Sequence, residues 1–256
     1  IEAACWIAIS RADRVILAGD HCQLPPTIKC IEAARGGLGR TLLEKVVLHK
    51  PETVSLLKIQ YRMHEDIMRF PSRWFYHDEL EAAPEVKYRG ILDFDTPVSW
   101  IDTSELDLQE KAVAEGTGRL NTGEAELLVR ELKNYMERIG IRRILEEHID
   151  FGVISPYRAQ VHYLRHLLKK EPFFRPCRRL ITVHTVDGFQ GQERDVIMIS
   201  LVRANEKGQI GFLRDLRRMN VAITRARMKL LILGEAVTLT RHPFYRELYE
   251  YIGGLR

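Results

Sequence analysis

The sequence is poor in several things, and each absence excludes a class of protein. It has only four cysteines, Cys5, Cys22, Cys30 and Cys177, with no CxxC pair and no histidine at metal-ligand spacing. A disulfide scaffold and a structural zinc site are therefore poor fits, and no metal site is expected. No apolar run reaches membrane-spanning length, so no membrane partner is expected, and no signal-peptide pattern opens the chain. Together with the cysteine usage this points to a reduced compartment, cytoplasmic or, in a eukaryote, nuclear. There is no internal repeat and no low-complexity stretch. There is also no GxxxxGK[ST] phosphate loop. GGLGRT (Gly36 to Thr41) has the glycines of such a loop but lacks its lysine. The chain does not begin with Met, and it opens inside an apolar pattern, IEAACWIAIS, as expected of a piece of a longer protein.

What is present is ordinary in composition. The chain is 256 residues long, 45% hydrophobic and 29% charged, with a net charge of +4. That permits nucleic-acid binding without requiring it. Short Val/Ile/Leu runs recur at RVILAGD (14–20), SLLKI (55–59), VSWID (98–102), FGVIS (151–155), ITVHTV (181–186), DVIMISLV (195–202) and KLLILG (229–234). Amphipathic stretches separate many of them. The pattern predicts an α/β fold, a mostly parallel sheet with helices on both faces. In such folds ligands sit at the carboxyl ends of the strands, where Asp20, Ser155 and the Thr185–Glu193 stretch are expected.

Local signals refine this. Asn121 and Glu124 resemble a capping box opening a helix whose stripe is Ala125, Leu128, Leu132, Tyr135 and Ile139. Ser155 is a candidate N-cap, with Pro156 as the first helical residue. Pro71 is expected to break the helix begun near residue 64. In FLRDLRRMNVAITRAR, helical spacing puts Phe212, Leu216, Met219 and Ile223 on one face and Arg214, Arg218 and Arg225 opposite. Guanidinium groups hold phosphate oxygens in a fixed fork, although a basic helix face also serves simply as a solvated surface.

The order and spacing of GDHCQLPP, QYRMH, VISPYRAQ, TVDGFQGQERDVI and NVAITRAR resemble the later motifs of a superfamily 1 helicase. The similarity is closest to the branch of the nonsense-mediated-decay RNA helicase and the immunoglobulin-mu-binding helicase. It covers nearly the whole chain, least at 81–120.

The resemblance implies two RecA-like domains closing on ATP and Mg²⁺. Residues 1–55 would be the tail of the first domain and 56–256 the second. Gln23 would sense the γ-phosphate and Asp20 would order the site. Tyr61 would border the adenine, and Arg62 would reach the γ-phosphate. Gln190, Gly191 and Glu193 would line the nucleotide edge, although Glu193 beside Arg194 serves equally well as an ion pair. Arg225 would be the arginine finger, and Arg227 a structural or peripheral charge. Nucleic acid, single-stranded or duplex, would meet Pro25, Ser155, Tyr157, Thr185, Val186 and Arg203, although Tyr157 also fits its helix's apolar stripe.

The family's phosphate loop and its Asp-Glu pair lie before the equivalent of IEAACW. The partner implied is thus the rest of the first domain, and this chain alone is expected to bind ATP weakly and not to unwind. Polarity would be 5′-to-3′. Two rivals share the fold. One is a non-catalytic nucleic-acid- or protein-binding module, and the other is an ATPase of different purpose.

Overall fold

In the computed structural model, residues 2–26, 28, 30–113 and 118–255 are described. The chain divides into two compact units, Ile1–Leu57 and Lys58–Arg256.

The larger unit is built on a five-stranded sheet. Its strands are β1 (Val98–Asp102), β2 (Phe151–Ser155), β3 (Ile181–Thr185), β4 (Arg194–Ser200) and β5 (Ala226–Gly234). The order is β1-β5-β4-β2-β3, and every pairing is parallel. The longer helices are α1 (Glu65–Phe75), α2 (Thr122–Ile139), α3 (Arg158–Lys170), α4 (Leu216–Ile223) and α5 (Pro243–Gly253).

Both faces of the sheet are covered, which is why its strands read as unbroken apolar runs. Phe151, Val153, Val196 and Met198 face a core closed by Leu128, Leu132 and Met136 of α2 and Leu164 of α3. The alternating residues Ile154, Ile197 and Ile199 are equally buried. The α/β fold with a mostly parallel sheet and helices around it is therefore as expected. No helix of the described residues is long and apolar enough to cross a membrane.

Several local expectations are corrected. Arg14–Asp20 lies outside any strand, with Ile16 95% exposed. A strand needs a ladder partner, and no strand occurs among the described residues of this unit. SLLKI contributes only Ile59, which with Gln60 pairs with Glu81 and Ala82. Pro71 does not break its helix: α1 runs through it. Packing on both sides of the proline sustains the helix, since Phe70 and Trp74 lie 5.2 and 5.1 Å from Phe244, centroid to centroid. Ser155 is the last residue of β2 rather than a cap, because its pairing with Thr185 keeps it in the ladder, and Tyr157 takes the N-cap position.

The basic helix is shorter than its spacing suggests. Phe212 lies in a 3₁₀ turn and is 44% exposed, and Arg225 falls after the helix ends. The capping box is half formed. Asn121 Oδ1 accepts from Glu124 N at 3.0 Å, but the Glu124 carboxylate turns away to β4.

Candidate functional site

Polar side chains gather at both ends of the sheet, and the two gatherings differ. At the amino ends of β4 and β5, Glu193 is held between two guanidinium groups. Arg227 Nε and Nη2 donate to its Oε1 at 2.9 and 2.7 Å, and Arg62 Nε donates to its Oε2. Arg227 also reaches Asp195 at 3.2 Å, and Arg62 Nη1 donates to Thr224 O at 2.9 Å. Burial opposes ionisation of Glu193, but the hydrogen bonds and charges of Arg227 and Arg62 outweigh it and hold the carboxyl below the ordinary range.

The partners of Glu193 are therefore Arg62 and Arg227. Arg194 turns instead to Thr182 Oγ1 at 3.1 Å and Gln192 Oε1 at 2.9 Å. Arg227 is the member that spacing alone did not single out, since nothing in TRAR distinguishes one arginine from the next.

Arg225 is 3% exposed. Its Nε donates to Val221 O at 3.0 Å and its Nη1 to Gln192 O at 3.1 Å. Arg62 is stapled at its base by Gln60, whose Oε1 accepts from Arg62 N and Met63 N at 2.9 and 2.7 Å. Tyr61, between them, is 68% exposed. Gln190 is exposed, and Gly191 beside it takes φ +79°, a conformation glycine adopts without penalty.

Glu193 was expected at the carboxyl ends of the strands. It lies at the opposite end because β3 and β4 are both parallel to β2. The connection between them must travel back along the sheet before β4 can begin. Phe189 marks the crossing. It is fully buried against Gly152 of β2, where an added Cβ would sit 2.9 Å from its Cζ.

At the carboxyl ends stand Ser155, Tyr157, Thr185, Val186 and Arg203. Of these, Thr185 is half-exposed, while Ser155, Tyr157, Val186 and Arg203 are buried. Ser155 Oγ has no hydrogen-bond partner among the described residues. Arg203 is fixed by Glu110, with Nε to Oε2 at 2.7 Å, and donates to the Tyr157 hydroxyl at 3.3 Å. The same Glu110 oxygen accepts from Ala204 N at 2.9 Å. Before Arg203, Val202 takes φ +71°, strained for a β-branched residue. Its N–H donates to Glu124 Oε1 at 2.9 Å, as does Ser200 Oγ. Glu124 is fully buried, and burial raises its pKa to about 7 against the hydrogen bonds from Ser200 and Val202. The sequence treats Glu110 and Glu124 as unremarkable acids. Only a capping box that fails to close hints at the second.

In the smaller unit, Asp20 accepts from Cys22 N at 2.9 Å and from Gln23 Nε2 at 2.7 Å, a tight turn ahead of half-buried Pro25. Asp20, His21 and Cys22 carry ligand atoms within 4.8 Å of one another. The carboxylate of this group already serves the turn. The guanidinium set around Glu193 suits a phosphate anion. It does not suit Mg²⁺, since its carboxylate is committed to Arg62 and Arg227.

Comparisons with known proteins bear on this geometry. An AAA-domain family model matches residues 38–237, and a second AAA-domain model matches 1–30. DNA-binding protein SMUBP-2 of Rattus norvegicus is 36% identical over 98% of this chain and 25% of its own length. The Regulator of nonsense transcripts 1 homolog of Drosophila melanogaster is 34% identical over 98% of this chain and 21% of its own. The chain belongs to the superfamily 1 helicases, in the branch of these two relatives. DNA polymerase alpha-associated DNA helicase A of Saccharomyces cerevisiae is 37% identical over 94% of this helicase chain and 37% of its own length. The helicase chain thus spans between about a fifth and two fifths of the relatives it matches.

Proposed function

We propose that this chain is the C-terminal portion of an ATP-dependent DNA or RNA helicase or translocase moving 5′-to-3′. Residues 56–256 act as the second RecA-like domain, and residues 1–55 as the tail of the first. The observation that carries this reading is the convergence of Arg62, Arg225 and Arg227 with Glu193 at the amino ends of β4 and β5. A module that only binds nucleic acid has no use for such a set. ATP, when bound with Mg²⁺, supplies the transferable phosphoryl group. Arg62 reaches toward the γ-phosphate, and Glu193 holds Arg62 and Arg227 in position. Tyr61 borders the base, beside Gln190 and Gly191. Gln23 and Asp20 report the state of the γ-phosphate from the coupling turn.

Arg225 acts as the finger, a role worth ~10³–10⁵ in rate where it is known. To act so it must leave the carbonyls of Val221 and Gln192. Nucleic acid runs across the carboxyl ends, touching Ser155 and Thr185, and Pro25 is a contact of the first domain's tail. Tyr157, Val186 and Arg203 form the supporting layer. The relatives' names speak of DNA binding, a DNA helicase and nonsense transcripts, so both DNA and RNA are kept as substrates.

One observation favours a non-catalytic module that keeps the fold: the burial of Arg225. Arg225→Ala in the full-length parent separates the readings. The expected result is a loss of at least ~10³ in ATP turnover with nucleic-acid binding retained. Unchanged turnover with a destabilised chain assigns Arg225 to structure alone. Vigorous ATP hydrolysis by the isolated 256-residue chain sinks the view that it is half of a site.

A further inference from the structure

Two stretches of this protein are strongly basic, but in 214–229 Arg218, Arg227 and Lys229 are paired with acids, whereas the other stands exposed. Between Pro156 and Val186 there are seven Lys/Arg and a single acid, a net of +6 against +4 for all 256 residues. The rest of the chain is therefore slightly acidic. Arg158, Lys169 and Lys170 lie exposed on α3, and Arg175, Arg178 and Arg179 lie exposed on the turns that lead to β3. No carboxylate among the described residues pairs with any of the six. Glu171, the one acid of the stretch, is engaged by Lys133 at 3.5 Å. Arg165 ties the helix to the sheet, donating from Nε and Nη2 to Val183 O at 3.0 and 2.7 Å. The face thus stands on a firm base at the edge of the sheet, since β3 is the last strand in the order.

We propose that this face binds the phosphate backbone of double-stranded nucleic acid, as a site separate from the carboxyl-end groove. Two features select the occupant. The 13 residues of α3 extend about 20 Å, a length of duplex axis that carries about six charges on each strand. No Phe, Tyr or Trp side chain between Leu145 and Phe212 is highly exposed, so apart from the small imidazoles of His162 and His166 the face offers no open ring for an unstacked base. Single-strand platforms rely on such rings, whereas duplex backbones need only cations. The face begins at Arg158, beside Tyr157 and Ser155. A duplex seated here would adjoin a strand crossing the carboxyl ends. The choice of nucleic acid as ligand rests on the helicase reading, but the site's residues are distinct from those of the nucleotide and groove sets.

The test uses the 256-residue chain with Lys169→Gln, Lys170→Gln, Arg178→Gln and Arg179→Gln combined, all at exposed positions. Binding of a 20-base-pair duplex and of a short single strand is titrated against salt. The expected result for the duplex is a loss of affinity of at least ~10-fold at 0.1 M salt, with the log–log salt slope shallower by roughly 3 to 4. Single-strand affinity stays within about twofold of the parent chain's. A charge-keeping variant, with Lys and Arg exchanged at the four positions, restores the duplex slope. An unchanged duplex slope, or no duplex binding by the parent chain, overturns the proposal. So does equal retention on polyglutamate with the same loss in the variant, which would assign the face to an acidic protein. None of these readouts depends on ATP turnover, so the failure of the Arg225 prediction and the failure of this one are told apart.

Discussion

Glu124 shows how far a single residue can depart from its sequence context. At N3 of a helix, three residues after an Asn, it reads as the return half of a capping box. In the fold its carboxylate instead holds Ser200 and the strained peptide of Val202, and it does so fully buried. Burial raises its pKa to about 7 from an ordinary 4.5. The native state then binds more protons than the unfolded chain between those two values. Its contribution to stability is fully present below about pH 4.5, declines as pH rises, and is lost above about 7. The loss is at most about 3 kcal/mol. Glu124→Gln is expected to flatten the pH dependence of urea unfolding across that window. An unchanged slope would mean that the carboxyl titrates normally. Glu193 contrasts with it: only partly removed from water, it has two guanidiniums for partners, which hold its carboxyl below the ordinary range.

At the scale of elements, the parallel connection decides where the site lies. The eight residues between Thr185 and Arg194 must cross from the carboxyl end of β3 to the amino end of β4, and Phe189 lies under Gly152 on the way. A Cβ on Gly152 would also sit 2.5 Å from Ile197 Cδ1. Gly152→Ala is therefore expected to cost about 1–3 kcal/mol in chemical denaturation. A neutral or stabilising result would show that the crossing has slack. The glycine-rich motif is thus legible as a turn in sequence. The direction in which it carries Glu193 is not, because it depends on which strand β4 pairs with. The same holds for the basic helix. Its spacing describes an amphipathic cylinder, but the helix stops at Ile223 and the backbone carries Arg225 inward, against Val221 O and Gln192 O.

At the scale of the molecule, the two units differ in the depth of their cores. No described residue of 2–57 is buried, whereas in the larger unit the central strands are almost wholly so. Stability should follow burial. Native-state hydrogen exchange is expected to show the backbone amides of 2–57 exchanging well before those of Val153, Ile197 and Ile232. Equal protection in both units would contradict this. The split of charge follows the same scale: the exposed basic stretch 156–186 carries a net of +6, and the remainder of the chain sums to slightly acidic.

The sequence by itself determined the class of fold, the family and most of the strands. Buried parallel strands are unbroken apolar runs, and the helicase motifs recur in a fixed order. Helix periodicity likewise marks the core stripe of α2, from Ala125 to Ile139. What only the tertiary structure decided was which polar groups meet. Arg62 and Glu193 are 131 positions apart, and Glu124 and Val202 are 78. Their pairing depends on strand order and on the end of the sheet at which each loop emerges. A local pattern of residues carries neither, because a hydrogen bond across a fold is set by where two backbones arrive.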